Sequence, residues 1–316
     1  MSISRKGAVV RAIEACARYI LGCQAADGSW RDWNLPPGES LPWTTAFVGY
    51  RLIRTPAKLA ALCEAATHHA AKWLLGAEFS GGGWGYNERV GTDADSTACA
   101  ILFLASQGSS IAGRSYRRLK SFQLPDGGFS TYLAGNGAGS WGIAHPDVSA
   151  AALLALLTRY PPESATIARG IEHVLARRTP AGLWNSFWWQ SPLFATEASL
   201  SLLDKAGVMS DTASACESIR ALTPRNAFEC ALMVSIIGFL HRDFPSAPLR
   251  ALIKRLLEEQ KADGSWESEP ILRVTRRDCF EPWKENEAGS LYHDPHRLFT
   301  SATVLEAMSR ALALMV

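Results

Sequence analysis

The sequence predicts an all-α fold, an (α/α)6 barrel in which six outer helices surround six inner ones. The first indication is a recurring turn that ends in glycine and an aromatic residue, found at 24–30, 81–84, 123–129, 180–184 and 260–266 of the 316 residues. Such a repeat indicates stacked copies of one helical pair. The last interval is long enough for a sixth, degenerate copy near 223–226. We therefore expect six helix-pair repeats in a single domain spanning residues 1–316.

The second indication is that the two helices of each pair differ in where they place charge. In the first outer segment, Val9, Ile13 and Ile20 share one face, whereas Arg11 and Arg18 lie elsewhere. The segment after each turn is instead apolar on nearly every side and must be buried. We predict these inner helices at 44–52, 96–106, 148–157, 197–203, 228–240 and 301–312.

Composition narrows the functional classes. The 32 basic and 30 acidic residues are interspersed and give a net charge of +2, so no surface for nucleic acid is indicated. Arg276 and Arg277 are interpreted as solvated turn residues. The seven cysteines are odd in number and scattered, which indicates a reducing cytosol. No apolar stretch reaches membrane-spanning length, so we expect a cytoplasmic protein.

Two carboxylates, Asp93 and Asp95, stand directly before an uncharged apolar segment at 99–106. Two acids that enter an apolar interior do not both ionise cheaply, so one is expected to keep its proton. A protonated carboxyl among apolar walls is a Brønsted acid that can attack a carbon–carbon double bond. The same residues also fit an ordinary helix start, in which side-chain oxygens cap free amides.

An alignment of the inner segments bears on the capping alternative. They align on short triplets that begin at residues 44, 96, 148, 196 and 300. If capping alone explained Asp95, the position before each triplet would be polar throughout. It is not, because that position holds, in order, Trp43, Asp95, Asp147, Ala195 and Phe299.

The turns and the acidic segment resemble those of class II terpene cyclases, the squalene–hopene cyclase relatives. The family's Gln-x-x-x-Gly-x-Trp turn is matched best at 24–30 and 260–266, and its Asp-x-Asp-Asp-Thr-Ala motif at 93–98. This resemblance implies that Asp95 is the proton donor and Asp93 its acidic neighbour, while Ser96 replaces the third aspartate. Most members carry two barrels, and this chain resembles a single-domain version.

A second motif departs further from the family. Residues 147–151 resemble the family's Asp-Val-Thr-Ala-His, but Ala151 stands where that histidine would assist the acid. His145, two residues before Asp147, either substitutes for it from the loop or bonds only a backbone carbonyl. We group Ser96, His145 and Asp147 as the residues expected to support the acid.

The chemistry implied by the resemblance needs an aromatic cavity, because electron-rich ring faces stabilise a carbocation without quenching it. Four of the eleven tryptophans end the repeat turns, where packing of turn against helix is the better interpretation. Other aromatic residues precede inner helices on the side where Asp95 enters, so they either line the cavity or pack in the core. These are Trp43, Tyr86, Trp141, Phe187, Trp188, Trp189 and Phe299.

Two long segments without clean periodicity, 31–42 and 267–298, are expected to close the cavity in the absence of a second barrel. The implied function is a protonation-initiated cyclase that turns a linear polyprenyl chain, alone or joined to an aromatic or other polar head group, into a cyclic terpene or meroterpenoid. No metal or other cofactor is expected. A polyprenyl substrate also suggests a peripheral visit to the membrane surface. The sequence does not indicate an oligomeric state.

Three alternatives remain open at this stage. A cyclase that leaves a diphosphate intact could hold magnesium through scattered residues. A prenyltransferase β-subunit shares the barrel but binds zinc through Asp, Cys and His. The candidate ligands here are Asp278, Cys279 and either His293 or His296. Asp278 and Cys279 are adjacent, however, and would point apart on a helix. The third is a non-catalytic barrel that binds a lipid or a protein partner.

Overall fold

The computed structural model describes residues 3–135, 137–209, 211–240, 244 and 246–314. Within these ranges the chain forms outer and inner helices in strict alternation. The outer helices are α1 Ile3–Gly22, α3 Ala57–Gly76, α5 Gly113–Lys120, α7 Ala165–Ala176, α9 Ala213–Ala221 and α11 Ser246–Glu259. The inner helices are α2 Pro42–Ile53, α4 Ala94–Ser106, α6 Pro146–Leu156, α8 Leu193–Ala206, α10 Ala227–Phe239 and α12 Leu298–Leu314.

The inner helices form a closed ring. Each packs against the next in chain order, from α2 to α4 and so on to α12, and α12 packs back against α2. All six predicted inner segments fall on these helices, which begin slightly before the predicted starts. Pro42 and Pro146 explain two of the earlier starts, because proline is favoured in the first helical turn, where its missing amide is not needed. The predicted all-α barrel is confirmed.

The repeat turns fasten each outer helix to the next. The Gln24 side-chain amide donates to the carbonyls of Gly28 in its own turn and Ala66 in the next outer helix. Gln260 donates in the same way to Ala12 of α1, and so joins the last repeat to the first. Each turn tryptophan donates its indole N–H to a carbonyl of the outer helix that precedes it. Packing is therefore the role of Trp30, Trp84, Trp184 and Trp266.

A hydroxyl near the start of five inner helices accepts a hydrogen bond from the turn before it. The Trp30 amide donates to Thr45 Oγ1 at 3.0 Å, and the Trp184 amide donates to Thr196 Oγ1 at 3.0 Å. Thr196 is therefore the equivalent of Thr45, which shifts the fourth row of the sequence alignment by one residue. In α8 the residue that corresponds to Asp95 is therefore Phe194, and not Ala195 as the alignment predicted.

The second residue of every inner helix consequently faces one end of the barrel. Four of these positions are aromatic and two are acidic, in the order Trp43, Asp95, Asp147, Phe194, Phe228 and Phe299. The sixth repeat has no Gly-aromatic turn, and Asn226 caps α10 instead by accepting from the Glu229 amide. The predicted degenerate copy near 223–226 thus lies where α10 begins.

Two antiparallel hairpins occupy the long segments that were predicted to lack regular structure. Strands β1 Asp32–Leu35 and β2 Gly38–Ser40 form one, and β3 Leu272–Thr275 and β4 Gly289–Tyr292 form the other. Asp32 joins the first hairpin to the start of α12, because its carboxylate accepts from the amides of His296 and Leu298. No helix in the described ranges is both long and apolar enough to span a bilayer.

Candidate active site

The cap of α4 is Asp93, so the helix-start interpretation applies to this residue and not to Asp95. Its backbone is extended, and its Oδ1 accepts from the Ser96 amide at 2.6 Å. Its Oδ2 accepts from the Ser96 hydroxyl at 2.8 Å. Burial raises the pKa of Asp93 to about 7, although these hydrogen bonds from Ser96 act in the opposite direction. Ser96 therefore supports Asp93 directly.

Asp95 is the second residue of α4 and faces a cavity. Its Oδ2 is buried and has no hydrogen-bond partner within the described residues. Burial raises the pKa of Asp95 well above its ordinary value, and the nearby charges of Asp93 and Asp147 raise it further. A contact from the Thr131 hydroxyl has a smaller, lowering effect. These surroundings favour the protonated carboxyl, which is the form that a proton donor requires.

Asp147, the third acid of this end of the barrel, orders two of the aromatic residues. Its Oδ2 accepts from the Phe187 amide at 2.9 Å and the Trp188 amide at 3.2 Å. Burial raises its pKa, while the two amides lower it. The hydrogen bonds fix the 187–188 backbone relative to Asp95, because both acids start neighbouring inner helices.

His145 adopts the second of the two roles considered for it. Its Nε2 lies 2.7 Å from the Ser140 carbonyl oxygen, and its ring stacks on Phe187 with the centroids 3.6 Å apart. Burial lowers its pKa to about 4, so the neutral ring donates to that carbonyl. Among the described residues, no hydrogen bond joins His145 to Asp95. Its ring instead packs on Phe187, whose amide donates to Asp147.

A cavity of about 540 Å³ opens above Asp95. Five of the seven predicted aromatic residues line it, namely Trp43, Tyr86, Trp141, Trp188 and Trp189. Phe299 is fully buried behind Trp43, with ring centroids 4.8 Å apart, and Phe187 packs edge-on behind Trp188 at 4.9 Å. Of the two roles considered, Phe187 and Phe299 therefore take core packing and not the cavity wall, because both face the core and support the rings that line the cavity.

Three segments border the open end of this cavity. Residues 35–37 and 272–277 belong to the two hairpins, as expected for covering segments. The third segment comprises Thr131, Tyr132, Gly137, Ala138 and Trp141, of which the sequence indicated Trp141. In that segment the Thr131 hydroxyl accepts from the Trp188 indole N–H at 2.8 Å, which leaves its own proton free for Asp95. The sequence does not reveal this role, because Thr131 is a single hydroxyl residue in an irregular segment.

Arg277 is an exposed turn residue, as interpreted, but it also contributes to the cavity wall. Its guanidinium lies 4.6 Å from the centroid of Trp141 and donates to the Gly137 carbonyl at 2.8 Å, on the cavity wall. Arg276 is likewise exposed, and it is paired with Asp278 at 3.1 Å. Among the described residues that line the cavity, Arg277 is the one with a positive charge.

The zinc ligands of the prenyltransferase alternative are not brought together. Within the described ranges, no three His, Cys, Asp or Glu side chains approach closely enough to hold one metal ion. Asp278 is exposed and pairs with Arg276, Cys279 is buried, and the segment of His296 is bound to Asp32 through its amide. The geometry gives no support to that alternative.

Comparison with solved structures identifies the fold. A variant of the type II terpene cyclase MstE from Scytonema, with phenylalanine in place of a tyrosine, matches with a TM-score of 0.87 and 24% identity, covering 99% of this chain and 100% of that one. The chain has a terpene cyclase fold. An MstE complex with geranylgeranyl dihydroxybenzoate, its substrate, matches at a TM-score of 0.86 and 23% identity, with 99% and 100% covered.

A more distant match is ent-copalyl diphosphate synthase from Streptomyces platensis, at a TM-score of 0.63 and 18% identity. The match covers 85% of this chain but 50% of that enzyme, so the barrel corresponds to half of the larger protein. No protein-family model matches the sequence, and no curated protein matches it. The relationship is therefore visible in the fold.

Proposed function

We propose that the protein is a class II terpene cyclase in which residues 1–316 act as one catalytic domain and Asp95 protonates a linear polyprenyl chain. The observation that carries this proposal is a buried carboxyl with a raised pKa that faces a cavity walled by indole rings. Few other reactions combine an acid of this kind with an apolar, aromatic chamber. The substrates of the MstE structures belong to the same chemical class.

The reaction begins when the Asp95 O–H bond breaks and the proton adds to the terminal alkene. The cation that forms is attacked by the next double bond along the folded chain, and successive ring closures follow. The faces of Trp43, Trp188 and Trp189 stabilise the moving positive charge, and the enclosed cavity keeps water from quenching it. Loss of a proton ends the sequence, so the product is an isomer of the substrate.

Asp93 contributes an electrostatic effect in this scheme. With a pKa of about 7 it carries substantial negative charge near neutral pH, which raises the pKa of Asp95 and keeps the donor protonated. Ser96 holds that charge in place through two hydrogen bonds. The third aspartate of the family motif is therefore replaced by a hydroxyl that acts on Asp93 and not on the donor.

Arg277 indicates a substrate with an anionic head group. Its guanidinium lies on the cavity wall at the end bordered by the hairpins, away from the barrel interior where the chain must fold. Arginine binds planar carboxylates in a bidentate manner. The dihydroxybenzoate of the MstE substrate is such a group. We therefore favour a polyprenyl chain attached to an aromatic carboxylate.

The head-group assignment is tested with Arg277→Gln and with Arg276→Gln as the matched control. For geranylgeranyl dihydroxybenzoate, Arg277→Gln should raise KM about 10-fold or more, which corresponds to the roughly 1.5–3 kcal/mol of one hydrogen bond to a charged group. The methyl ester should show no such difference. Equal KM values for Arg277→Gln and Arg276→Gln would contradict the assignment.

We also propose that the protein is cytoplasmic and contacts membranes reversibly. Four exposed apolar side chains, Leu133, Phe280, Trp283 and Leu291, lie in or beside the segments that border the cavity. Because polyprenyl substrates dissolve in bilayers, this placement would let the cavity open toward its substrate. Sedimentation with phosphatidylglycerol vesicles should show binding that weakens in Trp283→Ser. Binding that survives high salt and this substitution would contradict a reversible contact.

The function itself is tested by incubating the purified protein with geranylgeranyl dihydroxybenzoate, its methyl ester and geranylgeranyl diphosphate. Mass spectrometry and NMR should reveal a cyclic product with the mass of its substrate. Release of diphosphate would contradict protonation as the initiating step. Absence of any cyclic product would favour the non-catalytic barrel.

A further inference from the structure

A second, smaller cavity of about 90 Å³ lies on the other side of Asp95. Trp43, Asp95 and Trp189 line both cavities, so these residues form the boundary between them. The deep wall of the smaller cavity is charged, although it belongs to inner helices that the sequence indicated to be apolar. The charged residues are Arg51 of α2, Arg54 directly after α2, Glu197 of α8, and Glu306 and Arg310 of α12.

Glu306 is the fixed anion of this cluster. It pairs with Arg51 at 3.5 Å, with Arg54 at 2.7 Å and with Arg310 at 3.3 Å. Burial alone would raise its pKa, but the three guanidinium groups lower it to about 2. Glu306 therefore stays ionised, and it has no proton to exchange in the physiological range.

Glu197 is in a different state. In the part of the chain that the structure describes, it makes no ion pair at all. Burial, followed by the charge of Glu306, raises its pKa, and the arginines oppose this rise. The raised pKa favours the protonated carboxyl, which is the form that can give up a proton. The other titratable groups around its cavity are Tyr50, Arg51, Arg54, Asp95, Cys99, Glu306 and Arg310.

Glu197 also lies at the right depth to reach Asp95 through water. It is the fifth residue of α8, whereas Asp95 is the second of α4, so Glu197 is three residues or roughly 4.5 Å deeper along the barrel. Cys99, one turn after Asp95, faces the same cavity. A volume of 90 Å³ with polar groups at its far end has room for a few water molecules.

The proposed function creates a need for such a group. Asp95 is left as a carboxylate after it protonates a substrate, while the larger cavity is still filled by an apolar product. We propose that Glu197 returns a proton to Asp95 through water in the smaller cavity, as a relay between the acid and solvent at the charged end of the barrel. This proposal rests on the cyclase function.

The proton balance of the relay is simple. A water molecule in the smaller cavity gives a proton to the Asp95 carboxylate and takes one from the Glu197 carboxyl. Glu197 is then protonated again from solvent at the end of the barrel where Arg54 and Arg310 are partly exposed. The proton lost by the substrate cation when the sequence ends completes the cycle, so no net proton is consumed.

The relay is tested with Glu197→Gln, using Ser201→Ala as the control, because Ser201 lines the same cavity one turn further along α8. Single-turnover rates, with enzyme in excess over geranylgeranyl dihydroxybenzoate, should stay within about 2-fold of the wild type. With substrate in excess, Glu197→Gln should show a burst of one product per enzyme and then a steady-state rate at least 10-fold below the wild type. Glu197→Asp should restore much of this rate.

Other outcomes separate the relay from the function on which it rests. An unchanged steady-state rate without a burst would overturn the relay alone. So would a parallel fall of single-turnover and steady-state rates, since Glu197 would then act on the chemical step or on the fold, which thermal melts distinguish. A wild-type protein that forms no cyclic product would overturn the proposed function, and the relay with it.

Discussion

The substitution Asp95→Asn removes the group on which the proposed chemistry depends. The amide has nearly the same size as the carboxyl but no acidic proton, so the alkene is not protonated. General acids typically contribute 10²- to 10⁴-fold to a rate. Because this proton is the electrophile and not an assisting group, we expect a loss of at least about 10⁴-fold in kcat, or roughly 5.5 kcal/mol in the activation free energy.

The fold should survive this substitution. Asp93, and not Asp95, caps α4, and Oδ2 of Asp95 makes no hydrogen bond within the described residues. The folded-state pKa of Asp95 lies above the unfolded value of about 4, so wild-type stability falls as the pH rises from about 4 through the folded pKa. Asp95→Asn avoids this loss. It should melt at or above the wild-type temperature at pH 8, and the difference should vanish near pH 4.

The assay is product formation from geranylgeranyl dihydroxybenzoate, with Glu88→Gln as the control. Glu88 is an exposed acid in the same segment, so the identical chemical change there should leave kcat unchanged. Near-native turnover in Asp95→Asn together with a large loss in Asp93→Asn would show that the proton donor is wrongly assigned. Near-native turnover in both variants would refute the mechanism for this segment.

Four further predictions follow from the same geometry. Asp93→Asn should lower kcat by about 10-fold and move the alkaline limb of the pH–rate profile to lower pH, because losing the negative charge lowers the pKa of Asp95; an unshifted limb would count against this coupling. Trp43→Ala should release incompletely cyclised or hydroxylated products, whereas Trp43→Phe should not, as chromatography with mass detection will show; identical product profiles would argue against a wall role. Trp84→Phe loses the indole bond to Leu74 and should cost about 1 kcal/mol of unfolding free energy with kcat unchanged, measured by denaturant titration; a changed kcat would mean that the turn acts on the site. Turnover in a chelator should equal that without it, and recovery on adding zinc or magnesium would contradict metal-free catalysis.

The fold could be predicted because its signals are repeated. Gly-aromatic turns occur in five places and largely apolar inner helices in six, so an error in one is corrected by the others. The alignment error at Ala195 arose in the repeat where the hydroxyl, Thr196, stands one residue earlier than assumed. Only a hydrogen bond to the preceding turn reveals that register, and the sequence does not show it.

The acid pair could also be predicted, because Asp93 and Asp95 and the apolar segment that follows them are neighbours in the sequence. The parts of the site that were missed depend on contacts between distant segments. Thr131 reaches the site through Trp188, and Arg277 through Gly137 and Trp141. Phe187 was misplaced because an aromatic residue before an inner helix can face the cavity or the core. The hydrogen bond that its backbone amide donates to Asp147 decides between them.

Deuterium incorporation tests the central claim most directly. The wild-type protein, equilibrated in D₂O, is given geranylgeranyl dihydroxybenzoate, and the product is examined by mass spectrometry and NMR. The Asp95 carboxyl exchanges its proton with solvent, so initiation by this group should place one deuterium on the terminal isoprene unit and raise the product mass by about 1 Da relative to the same reaction in H₂O. A cyclic product without deuterium would contradict protonation by an exchangeable acid and, with it, the assignment of Asp95.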